Sequence, residues 1–245
     1  MLVLSLDFET TGLDKVNDRI TEVGMVLYST KINRAIENSS YLVDAGLPVP
    51  ARVTEITGIS TGLIKKMGRP EKDAIEDVAF LMEQADAIIG QNVIQFDKQF
   101  LDNAAKRLGV TIPVKPWIDT RTDLPLSVET KSLIYMAADH GFLNPFPHNA
   151  IADGLTVLKL AALYDFDKML ARSKEPNVVL QSMQTFEQNE VAKKLKFGFK
   201  GNLGKRWFRV AKASDVDGLR AAAIASGFDI VDVTKEITPE QVWYS

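Results

Sequence analysis

The chain opens on a near-continuous apolar run, Leu2-Val3-Leu4-Ser5-Leu6, that stops on two carboxylates, Asp7 and Glu9. A short apolar run of this kind reads as a core strand. Residues i and i+2 of a strand share a face, so both acids project together from its end. That makes an oxygen-rich corner suited to a hard divalent cation such as Mg²⁺ or Mn²⁺. Taken alone the pair carries little weight, since an Asp-x-Glu triplet arises about once by chance in a chain of this length and composition.

Residues 20–27 and 35–43 read as further strands, with Gly12 and Asn17-Asp18 in the first loop and Pro48-Val49-Pro50 turning the chain after the third. Apolar spacing predicts helices over 71–84, 96–107, 131–140 and 151–163, interleaved with short strands at 87–90 and 117–119. A meander followed by alternating strands and helices predicts an α/β domain, a mixed sheet flanked by helices. Beyond about residue 165 the pattern changes. Residues 172–177 read as a linker, followed by a strand (178–186), a helix (189–196), a hairpin (197–200 with 206–211), a helix (214–226) and a strand (228–233). That β-α-β-β-α-β order is that of a split βαβ unit. The expected organisation is one domain over 1–170 and a small α+β domain over 177–245.

With 46% hydrophobic and 25% charged residues among 245, the chain has material for a substantial core. Its formal net charge of −3 provides no global basic field, so a polyanion must be met by a local patch or through bound cations. The absence of cysteine excludes thiolate metal sites, cysteine nucleophiles and disulfides, and is compatible with the cytoplasm, where we expect the protein. No stretch has the apolar length of a membrane span, so no membrane partner is expected. The N-terminus lacks the basic and apolar regions of a signal peptide.

Two further acids follow in order. Gly90-Gln91-Asn92-Val93-Ile94-Gln95-Phe96-Asp97 places one where a short strand gives way to a helix, and His148-Asn149-Ala150-Ile151-Ala152-Asp153 places another five residues after a histidine. Such junctions gather active-site groups in open α/β sheets. Each residue has an ordinary reading too. Asp97 and Asp153 could complement helix dipoles, and His148, after Asn144-Pro145-Phe146-Pro147, could be a plain loop histidine. His140 ends a helix beside Gly141, and we give it no catalytic role. Ordinary readings suffice one at a time; the ordered set outweighs them.

Joined to Asp7-Phe8-Glu9-Thr10-Thr11-Gly12-Leu13, Ile20-Thr21-Glu22-Val23-Gly24, Val53-Thr54-Glu55-Ile56-Thr57-Gly58-Ile59 and Asp119-Thr120, these stretches resemble the DEDD superfamily of 3′–5′ exonucleases over residues 1–165. The resemblance is to the DEDDh, DnaQ-like branch, whose last motif carries histidine and whose fold is RNase H-like. It implies two divalent metal ions, Mg²⁺ or Mn²⁺, held by Asp7, Glu9, Asp97 and Asp153, with Asp7 bridging. Dications relieve the repulsion of converging acids, and a pair about 3.5–4 Å apart clamps an in-line displacement at phosphorus. His148 would be the general base, its ordinary pKa of about 6.5 suiting proton transfer near neutrality. Thr10, Thr11, Gly12 and Leu13 would cradle the 3′-terminal nucleotide, with Leu13 against the base and Asn92 assisting. Three departures blur the subfamily. Gln91 stands where the second motif usually has histidine, one extra residue lies between Asn92 and Asp97, and Thr57 replaces a frequent histidine.

The expected function is a metal-dependent 3′–5′ exonuclease acting on single-stranded ends, DNA before RNA, releasing nucleoside 5′-monophosphates. It would serve proofreading or DNA processing, alone or with a DNA polymerase or replisome component. Alternatives are an exoribonuclease of the oligoribonuclease type and a non-catalytic polymerase accessory module. The latter would have lost an acid or the histidine, and none is missing. The compact layout would suit a bacteriophage replication system.

In the C-terminal region Lys193, Lys194, Lys196, Lys200, Lys205, Arg206, Arg209 and Lys212 cluster around Phe197, Phe199, Trp207 and Phe208. Aromatics that stack bases among cations that track phosphates would make a strand-binding surface. Equally, the aromatics would form the small domain's core under a solvated basic face, and we lean to that reading. The tail after residue 240 is expected to fray or pack on its own chain.

Overall fold

A computed structural model describes residues 1–124 and 132–243, in which the chain falls into two compact units, Met1–Ser173 and Lys174–Ser245. In the first unit, β1 (Leu2–Thr10), β2 (Ile20–Ser29) and β3 (Arg34–Asp44) form an antiparallel meander. β4 (Arg69–Pro70) runs parallel to β3, β5 (Ala87–Gly90) parallel to β1, and β6 (Trp117–Asp119) parallel to β5. The mixed sheet has the order β4-β3-β2-β1-β5-β6. This is the RNase H-like α/β arrangement expected from the sequence.

Strand alternation sorts β1 into two layers. Leu4, Leu6 and Phe8 join the core built with α3 (Glu71–Gln84) and α4 (Asp97–Leu108). Val3 joins the opposite core, with α5 (Leu133–Asp139), α6 (Ala150–Ala161) and α7 (Phe166–Ser173). Each large apolar side chain buried this way contributes about 1.5–3 kcal/mol. Ser5 shares the Val3 face, donating from Oγ to the Gly154 carbonyl of α6 at 3.0 Å. By the same alternation Asp7 and Glu9 lie under α6. Gly24, opposite Asp7 in β2, lets the helix approach, for a Cβ there would sit 2.3 Å from the Ala150 carbonyl carbon.

Local departures from the expectation have local causes. Two helices, α1 (Ala51–Thr57) and α2 (Thr61–Met67), are too short to show periodicity; Gly58 at φ 74° closes one and the Ser60 side chain caps the other. Arg172 and Ser173, expected in a linker, are the last residues of α7, and Arg172 Nε donates to Thr122 O at 3.2 Å. Lys131, expected to open a helix, lies outside the described residues; α5 begins after Ser132.

In the second unit β7 (Asn177–Ser182), α8 (Asn189–Lys194), β8 (Gly198–Lys200), β9 (Arg206–Lys212), α9 (Val216–Ala225) and β10 (Ile230–Asp232) follow in turn. The sheet order is β10-β7-β9-β8 with antiparallel neighbours, so β9 splits β7 from β8 as in a split βαβ unit. β7 stops at Ser182, four residues before the expected end. There the chain turns into a 3₁₀ segment whose capping box joins Thr185 and Gln188. Leu180, Phe197, Ala211, Phe228 and Ile230 form one core. On the other face Val179, Phe208, Val233 and Val242 pack together, the last from α10 (Pro239–Trp243). The tail therefore packs on its own sheet as far as it is described.

Candidate active site

Asp7 and Glu9 stand on the α6-facing side of the β1 end, Asp97 is the first residue of α4, and Asp153 lies in the first turn of α6. Backbone bonds fix these positions. The Phe8 N–H, between the two β1 acids, donates to Asp97 Oδ1 at 2.8 Å and ties α4 to the strand. The His148 N–H donates to Asp153 Oδ2 at 3.0 Å, and the Asn144 amide holds the other carboxylate oxygen. His148 is exposed, with φ 61°, and offers a ring nitrogen to a group in which single atoms of Glu9, His148 and Asp153 all lie within 4.8 Å of one another.

The acids repel one another. Burial, then Asp97, Asp153, Glu9 and Glu22, raise the Asp7 carboxyl well above the ordinary range. Burial, then Asp153 and Glu22, push Glu9 up to about 8. Asp97 is raised chiefly by burial against the pull of its backbone bonds, and Asp153 by burial against the His148 N–H, the His148 charge and Asn144. A cluster of carboxylate oxygens under this strain fits hard divalent cations, which relieve it.

Glu22, which the sequence reading treats only as part of a supporting stretch, completes the site. It is 5% exposed within a wholly buried strand and accepts from the Ala150 N–H at 3.1 Å and the Asn149 amide at 2.9 Å. It thereby holds the start of α6, the helix that carries Asp153. The signal was there to read, because a carboxylate inside an otherwise buried strand needs partners. Asp119 is a second such residue. It is 2% exposed and pushed up to about 6, mainly by burial. It accepts from the N–H groups of Asn92 (2.9 Å), Ile94 (3.4 Å) and Arg121 (2.9 Å), pinning the segment that leads to Asp97. Asn92 in that segment takes φ 59°. Gln91, in the usual histidine position, accepts from the Thr120 hydroxyl instead.

The remaining expected substrate residues divide. Leu13 is 75% exposed. Thr10 and Thr11 are buried and hold the loop itself, Thr10 donating to Gly12 O at 2.6 Å and Thr11 to Asp18 Oδ1 at 2.8 Å. A Cβ at Gly12 would meet Asp18 Oδ2 at 2.3 Å, displacing the side chain that Thr11 holds. The Asn92 side chain accepts from Arg121 at 2.9 Å. His140 bridges Met136 O and Tyr164 OH, away from the acids in its bonding.

Comparison with known proteins gives the family and the fold. The family model RNase_T, an exonuclease, matches residues 4–161. DNA polymerase III PolC-type of Caldanaerobacter subterraneus is 32% identical over 108 residues, 43% of this chain and 7% of that protein. Its counterpart from Thermotoga maritima is 30% identical over 154 residues, 62% of this chain and 11% of that protein. The chain thus spans about a tenth or less of the length of these relatives. E. coli Exonuclease I in complex with a dA16 oligonucleotide superposes with a TM-score of 0.59 at 17% identity, covering 73% of this chain and 47% of that one. The nuclease domain of 3′hExo, a DEDDh family member bound to rAMP, gives 0.56 at 17% identity, covering 66% and 90%. At these identities the likeness to solved structures is one of fold.

Proposed function

Since the chain belongs to the exonuclease family, we propose that it hydrolyses single-stranded nucleic acid stepwise from the 3′ end, DNA before RNA, releasing nucleoside 5′-monophosphates. The observation that carries this reading is the convergence of Asp7, Glu9, Asp97 and Asp153 with Glu9, Asp153 and His148 in mutual reach. Those four acids would hold two Mg²⁺ or Mn²⁺ ions, which when bound neutralise the cluster and stabilise charge on the phosphoryl oxygens during in-line displacement. His148 takes the proton from the attacking water; the new P–O bond forms as the P–O3′ bond breaks. Its partner Asp153 orients the histidine backbone, and Leu13 packs against the terminal base. The polymerase III relatives support a place beside a DNA polymerase, in proofreading or processing.

The test is digestion of 5′-labelled single-stranded DNA and RNA of matched sequence, with Mg²⁺ or with EDTA. A metal-dependent ladder shortening from the 3′ end, stronger on DNA and lost in Asp7→Asn, is expected. A stronger RNA ladder would reassign the substrate. No cleavage of either strand would overturn the enzymatic reading.

A further inference from the structure

The second unit carries a charge distribution that the proposed reaction leaves unused. Residues 190–212 hold eight Lys or Arg against one acid, Glu190, whereas residues 213–243 hold six Asp or Glu against Arg220 and Lys235. The basic set folds into α8 and the β8–β9 hairpin, and β8 is the edge of its sheet. The aromatics divide there. Phe197 and Phe208 are 3% and 2% exposed and belong to the cores, but Phe199 on β8 is 53% exposed. Its ring lies edge-on to Trp207, centroids 5.9 Å apart, and Trp207 is itself anchored against the core. Lys194 and Lys205 are exposed on the same helix and hairpin, whereas Arg206 donates to Gln181 Oε1 at 3.1 Å on the opposite face of the sheet.

A half-exposed ring braced by a second aromatic does not serve the core, and a cation-rich edge on a chain of net charge −3 is a local field for an anion. We propose that the β8–β9 hairpin of the second unit binds single-stranded nucleic acid, a base stacking on the Phe199–Trp207 pair while Lys194 and Lys205 meet phosphates. Stacking on an aromatic is indifferent to sequence and salt-bridging to phosphate is indifferent to sugar, so this surface takes DNA and RNA alike. The inference deepens the proposed function by giving the same class of substrate a second contact, but it requires no turnover.

The experiment measures polarisation of fluorescein-labelled dT20 on the full chain in EDTA across a salt series, for the parent, Phe199→Ala and the pair Lys194→Glu/Lys205→Glu. Phe199→Ala is expected to weaken binding about 5- to 150-fold. The charge pair is expected to flatten the slope of log affinity against log salt by about 0.7 per phosphate contact removed. Both variants should keep the parent urea midpoint and hydrolyse the small ester thymidine 5′-(p-nitrophenyl phosphate) with Mg²⁺ at the parent rate. Parent-like dT20 binding in both variants would overturn the assignment while leaving the exonuclease reading intact. Tight, variant-sensitive binding by a chain that cleaves nothing would sink the exonuclease reading and leave this one standing. If Phe199→Ala binds as the parent does, and the charge pair loses dT20 and polyglutamate equally, the edge is a general polyanion contact and the assignment to single strands falls.

Discussion

Replacing Gly24 by alanine tests how the first unit positions its acids. The added Cβ would meet the Ala150 carbonyl carbon at 2.3 Å, its oxygen at 2.5 Å and the Ile151 nitrogen at 2.5 Å. All three are backbone atoms, so no rotamer change relieves the clash. Restoring ordinary contact near 3.4 Å requires the N-terminus of α6 to retreat from β2 by about 1 Å. That turn carries Asp153 and follows His148, while Asp7 and Glu9 stay on the sheet. Overpacking of this kind costs about 1–3 kcal/mol of stability. A misplacement of about 1 Å between reacting groups costs about 10²-fold in rate, or about 2.7 kcal/mol of barrier. The matched control is Gly154→Ala in the same helix, where the Cβ would meet only Ser5, its Oγ at 3.3 Å and its Cβ at an ordinary 3.9 Å, so a shift of a few tenths of an ångström suffices. Urea unfolding and single-turnover cleavage of a labelled strand should separate the two: Gly24→Ala loses both stability and rate, Gly154→Ala little of either. Parent-like kinetics in a folded Gly24→Ala would refute the claim that this contact sets the site.

The raised Glu9 carboxyl binds its proton more tightly in the folded chain than in the unfolded one. Its contribution to stability is full below its ordinary value of 4.5 and is lost as pH rises through about 8. In EDTA the unfolding free energy from urea titrations should therefore fall between pH 5 and 9 by roughly 4 kcal/mol, and Mg²⁺ should restore it; a flat profile would count against the acid cluster. His148→Asn keeps a residue that tolerates positive φ, so the fold should hold within about 0.5 kcal/mol while turnover falls about 10²- to 10⁴-fold; unchanged turnover would remove His148 from the chemistry. Glu22→Ala strands the Ala150 N–H and should cost about 1–3 kcal/mol with kcat falling more than KM rises. Glu22→Gln retains an acceptor and should recover most of both; failure to recover would point to a role for the charge itself.

The layers of the first unit were legible because β1, α3 and α4 carry their burial in their sequence period. The acids were legible only as an ordered set, and their convergence needed the chain to be folded: Glu9 and Asp153 are 144 positions apart in sequence and meet because α6 crosses β1. The roles of Glu22 and Asp119 were not legible for a related reason. Each works by accepting backbone N–H groups from another segment, and no local pattern announces which segment that is. The short helices α1 and α2 escaped because seven residues make barely two turns. The C-terminal aromatics needed coordinates as well, since only exposure separates Phe199 from Phe197 two positions earlier.

The alternation of β1 also bears on folding. Leu4, Leu6 and Phe8 fill one core while Asp7 and Glu9 face the other layer. A slip of one residue in pairing would exchange the faces, driving two carboxylates into the apolar layer and turning the leucines toward the acids. Such a misthreaded chain would be too costly to persist. The two carboxylates therefore act as a check on the protein's own assembly: a chain that has folded at all has folded with its acids together, and half-assembled clusters should be scarce among the molecules that survive folding.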